Sequence, residues 1–129
     1  MNKPSYTNHP IYQILEDLAH KAGINIKYAE LPERTFGECL DGNRTILMSA
    51  TNIYINDKDE DGGNNASFYL AHEMAHALVD NMYSYNKYDY DHDIVCYKFI
   101  DADADKVGGA LYNLALNIYE QKEIEKLKD

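Results

Sequence analysis

The chain has 129 residues, with 22 Asp or Glu against 12 Lys or Arg and a formal net charge of -10. That length suits one domain spanning 1–129 with a buried core, and an apolar share of 45% argues against a disordered chain. A surface so acidic repels phosphate backbones, which argues against direct nucleic-acid binding, and no apolar run approaches membrane-spanning length.

The N-terminal stretch MNKPSYTNHPIYQILEDLAH lacks an apolar core of signal-peptide length. Cys39 and Cys96 fall in unrelated segments without a CxxC, so no disulfide framework is expected and a reducing cytoplasm is the expected compartment. HPIYQILEDLAHKAG predicts a first helix, with Pro10 near its start, Ile11, Ile14, Leu15 and Leu18 on one face, and Gly23 as terminator. INIKYAE alternates as a half-buried strand does. FGECL and RTILMS flank DGN, which reads as a hairpin connection, and NIYIN is a further strand candidate. DKDEDGGNN reads as a polar loop in which Asn64 or Asn65 can cap the next helix, which runs to about Asn81. YSYNKYDYDHD is an acidic connector rich in tyrosine. From Asp93 the pattern is helical almost to the end, with Gly108-Gly109 as a point where it could bend and Ile100, Val107, Leu111, Leu114 and Ile118 as its apolar stripe. The expected fold is α+β: an N-terminal helix, a small and mostly antiparallel sheet, a central helix and a long C-terminal helical segment.

The central helix carries FYLAHEMAHALVD. Residues four apart on a helix lie nearly above one another, so His72 and His76 point the same way and can share one ion. Zinc takes two imidazoles readily in a site of about four ligands. Glu73 is rotated by one position. It flanks the open side of such a site, where a carboxylate can take a proton from attacking water. HExxH thus encodes a metal site with its own general base. An ordinary helix can also carry two histidines. Here, however, Phe68, Leu70, Ala71, Met74, Ala75 and Leu78 make the surroundings apolar, and polar groups in such a place need partners. Ala71, Ala75 and Ala77 would let another element approach closely.

A third ligand is not given by the extended HExxHxxGxxH form, because Val79 and Met82 stand where glycine and histidine are needed. FIDADADKVGGALYNLA offers an alternative. Asp101 and Asp105 lie four apart on one helical face, where like charges repel unless something compensates. A metal ion bound by Asp101, with Asp105 holding the second nitrogen of a ligand histidine, would compensate, although a solvated acidic face is the plainer alternative. Asp103 is rotated off that face towards solvent. Gly108 and Gly109 fit close packing against the motif helix. His92 is the rival third ligand. Tyr69, one turn before His72, can reach the site, as can Tyr83, Tyr85, Tyr88 and Tyr90 of the connector, although tyrosines at such positions are more often packing groups.

With these motifs the chain resembles the ImmA/IrrE family of zinc metallopeptidases. The likeness runs from about His9 to about Leu116 through LPERTFGECLDGNRTILM, NIYIN, FYLAHEMAHAL and DADADKVGGAL. It implies a zincin-like fold, Zn2+ bound by His72, His76 and Asp101, and Glu73 as general base. The family typically has glutamate as third ligand. The shorter aspartate requires a closer approach of the two helices, which the glycine pair would permit. The resemblance further implies a cytoplasmic endopeptidase of a prophage or mobile element whose protein substrate is a helix-turn-helix repressor. A catalytically weak or inactive zinc-binding module that binds a partner is the alternative, and a metal-free helical interaction protein is a further one.

Overall fold

In the computed structural model of the chain the described residues are 4–32, 37–39, 45–50, 60–83 and 101–128. A short 3-10 turn, Ser5–Asn8, leads into helix α1, Pro10–Lys21. His9 caps α1: its Nδ1 accepts from the Ile11 amide at 3.3 Å, and Pro10 occupies the first helical position, where no amide is needed. At the other end Gly23 adopts φ 80, a left-handed conformation suited to glycine, and the Ile24 amide turns back to the Ala19 carbonyl at 2.9 Å. Ile11, Ile14 and Leu15 are buried as the periodicity requires, and Tyr12 joins them with no exposed surface.

Three strands form one sheet among the described residues: β1 (Asn25–Ala29), β2 (Gly37–Cys39) and β3 (Thr45–Ser49), in the order β1-β3-β2. β3 pairs parallel to β1 and antiparallel to β2. The sheet is therefore mixed, and the expectation of a mostly antiparallel one is corrected. The β2–β3 pair is antiparallel, as the hairpin reading required. β3 then inserts between β2 and β1 and runs in the same direction as β1, with Ile46 and Met48 fully buried. The register places Tyr28, Met48 and Gly37 in one row and Ile26, Ile46 and Cys39 in another. NIYIN and the DGN connection lie outside the described residues.

Helix α2 spans Glu60–Tyr83 and helix α3 spans Asp101–Lys128. α2 begins ahead of the expected cap, so Asn64 and Asn65 lie inside it. The predicted helix from 93 to 100 lies outside the described residues, and α3 continues through Gly108-Gly109 without a break in helical structure.

Ala66, Leu70, Ala71, Met74 and Ala77 of α2 enter one core cluster with α1 and the sheet, joined by Ala115 of α3. Ala75 of α2 and Ala104 of α3 are also fully buried. Two apolar expectations fail. Phe68 is 39% exposed, its ring 6.2 Å from that of Tyr112, and Leu114 is 46% exposed. The packed face of α3 runs through the small residues Ala104, Gly108 and Ala115, with Leu111 and Ile118 of the expected stripe packed against the core beside them. Among the described residues no helix is long and apolar enough to cross a membrane.

Candidate metal centre

Helix α2 places His72, Glu73 and His76 where the core gives way to the surface, and all three are half-buried. Leu70, Met74 and Ala77 anchor the opposite side of the helix, and Ala71 and Ala75 are buried on its flank. This fixes the azimuth of the motif. The His72 and His76 rings stand 5.0 Å apart between centroids at an interplanar angle of 70°. Two imidazoles bound through nitrogen to one tetrahedral zinc, each about 2.0–2.1 Å from it, have their centroids about 5 Å apart. The pair therefore suits a shared cation.

Asp105 of α3 approaches from the side. Its Oδ1 lies 2.8 Å from Nδ1 of His72. An ionised carboxylate can only accept, so the contact puts the proton of a neutral ring on Nδ1 and the lone pair on Nε2. A histidine that ligates through Nε2 is commonly oriented in this way. The His72 side chain is 18% exposed and that of Asp105 59%, so the contact sits at the mouth of the site and not in its floor.

Gly108 explains how Asp105 reaches His72. A Cβ at 108 would lie 3.0 Å from the His72 amide nitrogen, 3.1 Å from the His72 Cα and 3.1 Å from the Ala71 carbonyl carbon. The two helix backbones are nearly in contact at this turn, and Asp105 is one turn before it. Gly109 has nothing within 4 Å of the corresponding position, so of the two glycines only Gly108 serves the close approach.

Asp101 opens α3 one turn before Asp105; its side chain lies outside the described residues, as does His92. Among the described residues no group of three or more His, Cys, Asp or Glu side chains gathers as a complete metal site. Asp103 departs from expectation: it is half-buried and engaged by a neighbouring group, not turned to solvent. Tyr69 is half-buried and packs against the core cluster. Tyr85, Tyr88 and Tyr90 lie outside the described residues, as does the side chain of Tyr83.

One neighbour of the site was not singled out from the sequence. Gly37 of β2 faces Glu73, and a Cβ there would lie 3.0 Å from Glu73 Cγ. The available signal was an isolated glycine inside a strand pattern, which marks close approach of another element. No family model, curated protein or solved structure matches this chain.

Proposed function

We propose that the chain is a zinc-dependent endopeptidase of zincin-like fold, as its resemblance to the ImmA/IrrE metallopeptidases implies, acting on a protein substrate such as a helix-turn-helix repressor. The observation that carries this reading is the carboxylate–histidine contact between Asp105 and His72, made within an HExxH turn whose two imidazoles stand at the spacing of co-ligands. A merely solvated histidine pair needs neither feature.

When bound, zinc supplies a Lewis acid that polarises the peptide carbonyl and makes water more acidic. The residues divide the remaining work. His72 and His76 hold the ion, with Asp101 as the proposed third ligand. Asp105 keeps the His72 ring in one tautomer and one orientation. Glu73, one position round the helix, takes a proton from the attacking water onto its carboxylate and returns it to the leaving amine. An extended substrate would pair with a free strand edge. β3, with its TILMSA sequence, cannot serve, because both of its sides are already paired. Among the described residues β2 is the outer strand beside Glu73.

The test is metal analysis of the purified protein together with cleavage of a co-expressed repressor or a peptide library. Zinc near one equivalent, with cleavage that chelation abolishes, is the expected result. Protein that binds zinc but cleaves nothing under any condition, with Glu73 variants indistinguishable from wild type in every assay, would overturn the reading.

A further inference from the structure

A glycine in a strand loses side-chain packing and raises the entropy cost of folding, so its presence needs a reason. Backbone conformation does not supply one at Gly37. Among the described glycines the positive φ belongs to Gly23. Space does supply one. Gly37 is paired with Met48 across the sheet. A Cβ at 37 would meet Met48 Sδ at 3.0 Å, the Leu47 carbonyl at 3.4 Å and Glu73 Cγ at 3.0 Å. Carbon atoms in comfortable contact stand about 3.5–4.0 Å apart, so neither side chain could stay where it is. The aliphatic stem of Glu73 occupies the room that the missing side chain leaves on the inner face of β2.

We propose that Gly37 is a positioning residue for Glu73: by leaving this gap it lets the Glu73 stem lie against β2 and so fixes where the carboxylate is presented. The geometry around the motif supports this from the other side. Gly108 brings the α3 backbone against His72, which leaves the turn at 72–73 held between a helix and a sheet, each at a glycine. His72 is located through its backbone and through Asp105, whereas Glu73 is located through its side chain. The catalytic consequence rests on the function proposed above. The packing relationship does not.

The experiment combines kinetics with a double-mutant cycle in stability. Gly37→Ala should lower kcat about tenfold, since displacements well under 1 Å at a reacting group are costly. KM and zinc content should stay near wild type, because no ligand is touched. In thermal melts of the zinc-loaded protein the loss of Tm caused by Gly37→Ala should be clearly smaller in a Glu73→Ala background, where Cγ is gone. If Gly37→Ala alone fails to fold, recovery of folding in the Gly37→Ala/Glu73→Ala double variant supports the proposal and failure to recover overturns it. An equal Tm loss in both backgrounds would assign the glycine to Met48 and sheet packing, and an unchanged kcat would likewise sink the proposal. A wild-type protein without peptidase activity would defeat the function proposed above, and the melts would then decide whether Gly37 places Glu73.

Discussion

Asp105 and His72 meet at 2.8 Å across the α2–α3 interface, carboxylate oxygen to Nδ1, and this contact ties the orientation of a proposed metal ligand to the docking of another helix. Removing it should not remove a ligand. Asp105→Ala should weaken zinc binding on the order of 10–100-fold, and Asp101→Ala should weaken it more, because two histidines alone hold zinc poorly. Asp103→Ala should cost stability, since Asp103 is half-buried and has a partner, and should leave zinc affinity near wild type, since it is rotated off the helical face that Asp101 and Asp105 share. Competition with a chromophoric chelator gives the three affinities. Full zinc affinity in Asp101→Ala would move the third ligand to another residue.

Glu73→Gln keeps the side chain's shape and removes its capacity to act as a base. Peptide cleavage should fall by at least about 100-fold while zinc content stays at the wild-type value. Loss of zinc in this variant would make Glu73 a ligand and defeat its assignment as a base.

The adjacent glycines of α3 should respond in opposite directions. At Gly108 an alanine Cβ would press on the backbone at Ala71 and His72, which no change of side-chain rotamer can relieve. Gly108→Ala should destabilise the protein by about 1–3 kcal/mol and loosen zinc by pulling Asp105 from His72. Gly109→Ala meets nothing and should stabilise the helix by about 0.5–1 kcal/mol. Chemical denaturation of the two variants gives both signs.

The pH prediction comes from the buried tyrosines. Tyr12 and Tyr28 share a hydroxyl contact of 2.9 Å, Tyr28 donates to Glu16 at 2.9 Å, and Tyr6 donates to the Ser49 carbonyl at 2.6 Å. Burial pushes all three hydroxyls above their ordinary range, and at Tyr12 the neighbouring Tyr28 adds to the effect. A folded-state value above the unfolded one means stability that is intact below about pH 10 and declines above it, as the unfolded chain ionises first. For Tyr12 alone the slope is about 1.4 kcal/mol per pH unit. Tyrosinate absorbance should therefore show a group of tyrosines that ionise only as circular dichroism reports unfolding. Tyr28→Phe leaves the buried Tyr12 hydroxyl without that contact and should cost about 1–3 kcal/mol at neutral pH.

Local patterns in the sequence made much of this visible. Pro10 and Gly23 bracket α1, alternation marks β1, and the histidine spacing puts both imidazoles on one side of α2. The less visible features depend on contacts between distant segments. The parallel pairing of β1 with β3 is decided by which strand inserts beside which. The start of α2 at Glu60 overrides the low helix propensity of Gly62 and Gly63. The exposure of Leu114 follows from the face on which α3 docks, through Ala104, Gly108, Leu111, Ala115 and Ile118, from which Leu114 is rotated away.

The His72–Asp105 contact spans 33 positions of chain. Closing so large a loop carries an entropic cost that a single hydrogen bond does not repay, so the two residues come together only as the helices dock and the core forms. The HExxH segment by itself is a helix with two histidines and no organised receptor. Metal uptake should therefore report completion of tertiary structure and not the formation of α2, and a chain truncated before α3 should keep the motif while losing the selectivity and tightness of the site.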